Sequence, residues 1–149
     1  MESYFAAKAR LFDPTFAAAA VVNVDDPRGR LLRDAALVPT VGYSLDDLEA
    51  LVVGLRSSTF RWRGHDVTLH LGGRFNVANA LAAAEAAVVL GVTPDAVATG
   101  LGHPVTIPGR FERIDRGQPF DVIVDFVHTP DGLDHLLAAV GEGSEAIAW

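Results

Sequence analysis

The sequence predicts an α/β fold, and three observations carry that expectation. Two apolar runs, residues 17–24 and 38–43, flank a segment with helix-start chemistry. An alanine-rich stretch over 75–90 is the strongest helix former in the chain. Further on, Val122-Ile123-Val124-Asp125-Phe126-Val127-His128-Thr129-Pro130-Asp131-Gly132 reads as an apolar strand that ends in an acid and a histidine and meets a helix start. In open α/β sheets that carboxyl edge is where ligands sit. A carboxylate in an apolar run is costly to bury unless a partner or a task holds it there.

Taken in order, residues 2–12 carry Tyr4, Phe5, Leu11 and Phe12 at helical spacing, which predicts an amphipathic helix. The run 17–24 predicts a buried strand. Asp25-Asp26-Pro27 then supplies an N-cap carboxylate and a proline at the first helical position, opening a helix to about Ala35. A second buried strand follows over 38–43. From Leu51 to Leu71 the pattern changes to short strands, with 59–63 and 66–71 flanking Gly64-His65 as a hairpin, and Gly72-Gly73 ends the segment. The helix over 75–90 is closed by Gly91, and Thr93-Pro94-Asp95 caps another to about Leu101. Pro104 to Gly109 has linker composition, which divides the chain into domains at 1–107 and 108–149. Beyond lie predicted strands over 111–115 and 120–127. A helix follows from Pro130 to Val140, with Leu133, Leu136, Leu137 and Val140 on one face. Glu145-Ala146-Ile147-Ala148-Trp149 reads as a strand just beginning, so the chain is expected to be a piece of a longer polypeptide.

Half of the 149 residues are hydrophobic, which is enough for a packed core. A formal charge of −7 argues against a nucleic-acid surface, which shows a basic stripe. Bulk acidity still leaves room for an anionic substrate held by a few local donors. With no cysteine there are no disulfides or thiolate metal sites, which fits a reducing cytoplasm. No apolar run approaches a membrane span, and Met1-Glu2-Ser3-Tyr4 lacks the features of a signal peptide, so neither membrane nor export is expected.

Several residues invite a chemical reading beside a structural one. Lys8 falls on the apolar stripe of its predicted helix. It either snorkels its ammonium to the surface or is a desolvated amine that can take up carbon dioxide as a carbamate. Asn76 and Asn79 follow Gly72-Gly73-Arg74 at a helix start; they are capping and surface polarity, or amides that read a base edge or phosphate. Arg110 follows a Pro-Gly turn and either pairs with Glu112 at the surface or clamps a phosphate. Asp125 suits a ribose hydroxyl. His128 is a general base, a phosphate contact or a loop residue, and Thr129 is most simply an N-cap with Pro130 behind it. Asp25 and Asp26 cap a helix or, as a pair, bind Mg²⁺.

The ordered set Tyr4-Phe5-Ala6-Ala7-Lys8, Asn23-Val24-Asp25-Asp26, Gly73-Arg74-Phe75-Asn76-Val77-Ala78-Asn79-Ala80, Pro108-Gly109-Arg110-Phe111-Glu112 and Val124-Asp125-Phe126-Val127-His128-Thr129-Pro130-Asp131 resembles the Mur ligase family. The His-Thr-Pro-Asp form is most similar to its MurE-like branch, the UDP-N-acetylmuramoyl-tripeptide synthetases. The resemblance implies the later half of the family's central ATPase domain over 1–107. Over 108–149 it implies the first βαβ part of a Rossmann-like C-terminal domain. It implies an ATP- and Mg²⁺-dependent ligase of peptidoglycan synthesis that phosphorylates the carboxylate of a UDP-N-acetylmuramoyl-peptide and joins it to an amino acid. Lys8 would be the carbamylated lysine that organises Mg²⁺ and the γ-phosphate, and Asn76 would lie on the adenine side. Arg110 and Asp125 would contact the phosphate and ribose region, with His128 and Thr129 in the same ATP-binding motif.

Departures accompany the resemblance. The family motif usually reads Asp-Tyr-Ala-His-Thr-Pro, and here Phe126 removes a hydroxyl. The Gly-rich phosphate loop with its Lys-Thr, the acid and histidine that hold magnesium, and the nucleotide-sugar domain are not among these residues. The polypeptide alone is therefore expected to lack ligase activity, because nothing in it cradles the β- and γ-phosphates. The alternatives are a non-catalytic remnant that binds a nucleotide or a partner through an open sheet edge, or a ligase of the folylpolyglutamate or cyanophycin type.

Overall fold

The computed structural model describes residues 2–141. Helix α1 (Glu2–Ala9) passes into a 3₁₀ turn over Arg10–Phe12. The predicted amphipathic helix over 2–12 is thus cut short, and Leu11 stands 60% exposed. Lys8 is exposed as well, as the snorkelling reading anticipates. The spacing read as a stripe runs past the point where α-helical geometry stops.

Strand β1 (Ala20–Asn23) pairs in parallel with β2 (Thr40–Tyr43), Ala20 opposite Thr40 and Asn23 opposite Tyr43. Parallel neighbours need a crossover, and α2 (Pro27–Ala35) supplies it. Its start matches the sequence expectation: the Asp26 carboxylate accepts from the Arg28 N–H at 2.8 Å, with Pro27 at the first position.

The second sheet is antiparallel and ordered β3 (Glu49–Val53), β4 (Ser58–Trp62), β5 (His65–Leu69). Along β4 the buried residues Ser58, Phe60 and Trp62 alternate with exposed Thr59 and Arg61. The β4–β5 turn lies at Arg63-Gly64, not Gly64-His65, and both residues have positive φ, 48° and 82°. That left-handed pair suits the twist of a two-residue hairpin and leaves His65 as the partner of Trp62 within the ladder. The sequence analysis did not delimit β3. Ala50 at φ 51° sits where the pairing slips between Glu49 and Val52, so a bulge erases the alternation that marks a strand.

Helix α3 (Arg74–Val89) packs against β1, β2 and the helix α4 (Pro94–Leu101), which in turn covers β5. Phe60, Trp62, Val67 and Leu69 from the sheet meet Val77, Ala80, Leu81 and Ala84 of α3 and Val97 of α4 in one core. Each large apolar side chain buried there contributes about 1.5–3 kcal/mol. One charge enters this interior. Glu85, 7% exposed, accepts from Trp62 Nε1–H at 2.9 Å and takes both nitrogens of Arg63, at 3.2 and 2.6 Å.

After α4, strands β6 (Glu112–Ile114) and β7 (Val122–Val124) form an antiparallel pair, followed by α5 (Pro130–Gly141). Both strands are shorter than the predicted 111–115 and 120–127, and Val124 and Phe126 are 45% and 66% exposed. The apolar strand is therefore partly exposed and pairs antiparallel with β6. An apolar run this brief cannot specify its pairing direction. Leu133 is exposed, while Leu136, Leu137 and Val140 are half-buried. Any strand after α5, including the one expected at 145–149, lies outside the described residues.

Asp121 joins the hairpin to the second sheet. Its Oδ1 accepts from Arg113 Nε at 2.6 Å and from Arg56 Nη2 at 3.3 Å. Arg113 also reaches Asp115 at 3.2 Å. The hydrogen bond from Arg113 holds the Asp121 carboxyl below its ordinary value against a desolvation cost, with the nearby Arg56 charge acting in the same direction as the bond.

Two predictions follow from these polar contacts. Glu85→Ala is expected to lower stability by about 2–3 kcal/mol, because it strips a buried indole N–H and a charged partner together. Glu85→Gln, which still accepts from Trp62, should lose less; the urea midpoint at constant slope measures both. For Asp121 the folded pKa is the depressed one. Its stabilisation is present above the unfolded value of about 3.9 and is lost as pH falls through the folded value. Carboxyl carbon-13 titration should show Asp121 protonating below that value, and Arg113→Leu should move its midpoint upward.

Candidate functional site

The ends of β1, β2 and β7, the first turns of α3 and one side of α5 converge on a cleft of about 1120 Å³. One wall carries Asn23, Asp25, Arg30, Asp46, Arg74 and Asn79; the facing wall carries Arg110, Asp125, Phe126, His128 and His135. The two parallel strands thus present their carboxyl edge to the cleft, as the switch-point rule for α/β folds anticipates.

The α3 end is built from two glycines. Gly73 serves as N-cap with φ 85°, a conformation that L side chains rarely adopt. At Gly72 a Cβ would stand 2.1 Å from the Leu55 carbonyl oxygen, so no other residue fits. Asn76 closes this turn: its Nδ2 donates to the Gly72 carbonyl at 2.7 Å, and the residue is 7% exposed. It is therefore not surface polarity, and its bond reaches back to a carbonyl instead of capping a free N–H.

Asp25 and Asp26 do not act as a pair. Asp26 caps α2, whereas Asp25 accepts from the Ser44 hydroxyl and from the Leu45 N–H at 3.0 Å. Burial pushes the nearby Tyr43 phenol up, and the Asp25 charge adds to that. Among the described residues no cluster of three metal-ligating side chains forms.

The opposite wall depends on the turn Pro108-Gly109-Arg110-Phe111. Phe111, at φ 47° and 5% exposed, sets its ring edge-on to Phe75 at 5.5 Å. Two bonds tie the turn to the end of β7. The Phe111 N–H donates to Asp125 Oδ2 at 2.7 Å, and the Phe126 N–H donates to the Gly109 carbonyl at 2.8 Å. Glu112 does not pair with Arg110 as expected; its carboxylate accepts from the Gly109 N–H at 2.7 Å, inside the turn. The Arg110 guanidinium lies instead over the Phe126 ring, 5.7 Å from its centre. Thr129 is the helix cap that its sequence context implies, its hydroxyl accepting from the Gly132 N–H at 3.2 Å.

Of the six residues that the resemblance assigns to the site, Asn76, Arg110, Asp125, His128 and Thr129 line this one cleft, together with Asp25 and Asn79. Lys8, exposed on α1, is not part of its lining. Sequence reasoning missed Arg30, Asp46, Arg74 and His135. Arg30 and His135 sit on helices flanking the predicted ligand edge, so their distance from it in sequence hid them. Chemically, the cleft offers three arginines, amides at a helix start, an acid at a strand end and exposed aromatic surface. That set suits an anionic ligand with a planar base and hydroxyl groups.

A family model, the Mur ligase middle domain, matches residues 1–87, and the chain belongs to the Mur ligase family. The UDP-N-acetylmuramoyl-L-alanyl-D-glutamate–2,6-diaminopimelate ligase of Geobacter metallireducens is 42% identical over 95% of this chain. The ligase of the same name from Streptomyces coelicolor is 40% identical over 97%. The chain spans 31% of the length of each. A crystal structure of MurF from Acinetobacter baumannii matches 96% of the chain and 34% of its own length with a TM-score of 0.81. At 22% identity that likeness speaks for the fold alone.

Proposed function

We propose that this chain forms part of a cytoplasmic, ATP-dependent ligase that adds an amino acid to a UDP-N-acetylmuramoyl-peptide in peptidoglycan synthesis. The observation that carries the proposal is the gathering of Asn76, Arg110, Asp125, His128 and Thr129 around one cleft at a parallel-strand edge. The names of the relatives make UDP-N-acetylmuramoyl-L-alanyl-D-glutamate and 2,6-diaminopimelate the substrates to test first. The domain division at 107/108 belongs to the same proposal, with the cleft between the two parts.

The residues present fit a nucleotide. ATP supplies the phosphoryl group that activates the substrate carboxylate. Arg110 holds phosphate charge, Asp125 accepts from ribose hydroxyls through the oxygen that Phe111 does not use, and Asn76 with the α3 start faces the base. His128 binds phosphate beside Arg110, and Thr129 keeps the loop in place as the α5 cap. The described residues do not fit Mg²⁺ in the same way, since both Asp25 oxygens and Asp26 Oδ1 accept bonds within the fold and no cluster of three metal-ligating side chains forms among them.

Calorimetric titration of the chain with ATP tests this reading. Arg110→Ala should weaken binding by about tenfold, the loss expected for one charge-assisted phosphate contact. Asp125→Asn should cost less than Asp125→Ala, because asparagine still accepts from Phe111. Unchanged affinity in Arg110→Ala would overturn the assignment.

Lys8 carbamylation rests on the Tyr4-Phe5-Ala6-Ala7-Lys8 motif and belongs to a polypeptide that also carries the phosphate loop. Labelled bicarbonate should there give a lysine-carbamate carbon-13 signal that Lys8→Ala abolishes. Its absence in the unsubstituted protein would remove the role.

A further inference from the structure

We propose that Phe126 is a positioning residue of the cleft: its ring and backbone together hold Arg110 and His128 where an anionic ligand meets them. The anion's identity as nucleotide phosphate rests on the reading above, whereas the positioning does not.

Three contacts carry the inference. The Arg110 guanidinium lies 5.7 Å from the centre of the Phe126 ring, and among the described residues Arg110 enters no ion pair. The His128 ring packs against the same phenyl group at 5.3 Å, tilted by 55°. The Phe126 backbone also bonds in both directions, its N–H to the Gly109 carbonyl at 2.8 Å and its carbonyl to His128 Nδ1 at 3.1 Å. A carbonyl only accepts, so Nδ1 carries the proton, and Nε2 is the acceptor when the ring is neutral.

The consequence is geometric. An arginine side chain at an exposed turn samples many rotamers, and ordering it on binding costs affinity. A phenyl face attracts the guanidinium and orients its plane without using any of its N–H donors. A carboxylate partner would neutralise the charge that a phosphate needs. Phe126 is 66% exposed and lines the cleft, so it contributes little to the core. What the position requires is therefore an aromatic ring. The Phe126 ring makes both contacts without a hydroxyl.

The test compares Phe126→Tyr with Phe126→Leu in the isotope-labelled 149-residue chain. The Trp62 indole signal serves as a check that the core is intact. Phe126→Tyr should leave the Arg110 Nε–Hε and His128 ring signals near their original positions and retain ATP affinity. Phe126→Leu should move both signals as the ring-current shift is lost, and should weaken ATP binding about two- to fivefold. Both signals unmoved in the leucine variant would overturn the proposal. Signals that move in a chain with no ATP affinity would uphold the positioning role and refute the nucleotide reading instead.

Discussion

Helix α3 has to satisfy two sheets at once, and the rest of the architecture depends on how it does so. One side lies against β1 and β2, another against α4 and the inner face of the antiparallel sheet. A helix packed on two sides is apolar over most of its surface, leaving Arg74, Asn79 and Ala83 exposed, and alanine lets its neighbours approach closely. Glu85 interrupts that surface with a charge, which is tolerable only because Trp62 and Arg63 hold both of its oxygens. The left-handed hairpin turn is what brings Arg63 there, so a local turn preference and a buried charge depend on each other.

The site end of α3 follows from the same constraint. Close approach of Gly72 to the Leu55 carbonyl locates the helix start against the antiparallel sheet, and Asn76 locks it. Across the cleft, the Phe111 turn adopts a conformation that costs a non-glycine residue on the order of 1–3 kcal/mol. Burial of its ring against Phe75 and the bond from its N–H to Asp125 offset that cost. The two walls are thus joined at Phe75 and Phe111, one residue from each, directly beside the cleft.

Several lining residues therefore have two duties. Asn76 and Asp125 shape the backbone with one polar atom, and the proposed nucleotide contact would use the other. Thr129 shapes only the helix start. Among the described residues the Arg110 guanidinium enters no ion pair, which under the proposed function leaves its donors for the ligand.

Local chemistry made much of this legible. The Asp26-Pro27 and Thr93-Pro94 starts, the alanine helix ended by Gly91 and the Thr129 cap are interactions within four residues of chain, so the sequence alone determined them. The motif residues were readable for the same reason, as short ordered strings. Tertiary structure decided what depends on distant partners. It set the bulged β3 and the antiparallel pairing of β6 with β7. It turned Glu112 inward to Gly109 and seated Arg110 on Phe126. It also left Lys8 exposed outside the cleft that the other five residues share. Pairing direction, register and the choice among competing acceptors are settled by packing between segments far apart in the chain, and no local pattern records that outcome.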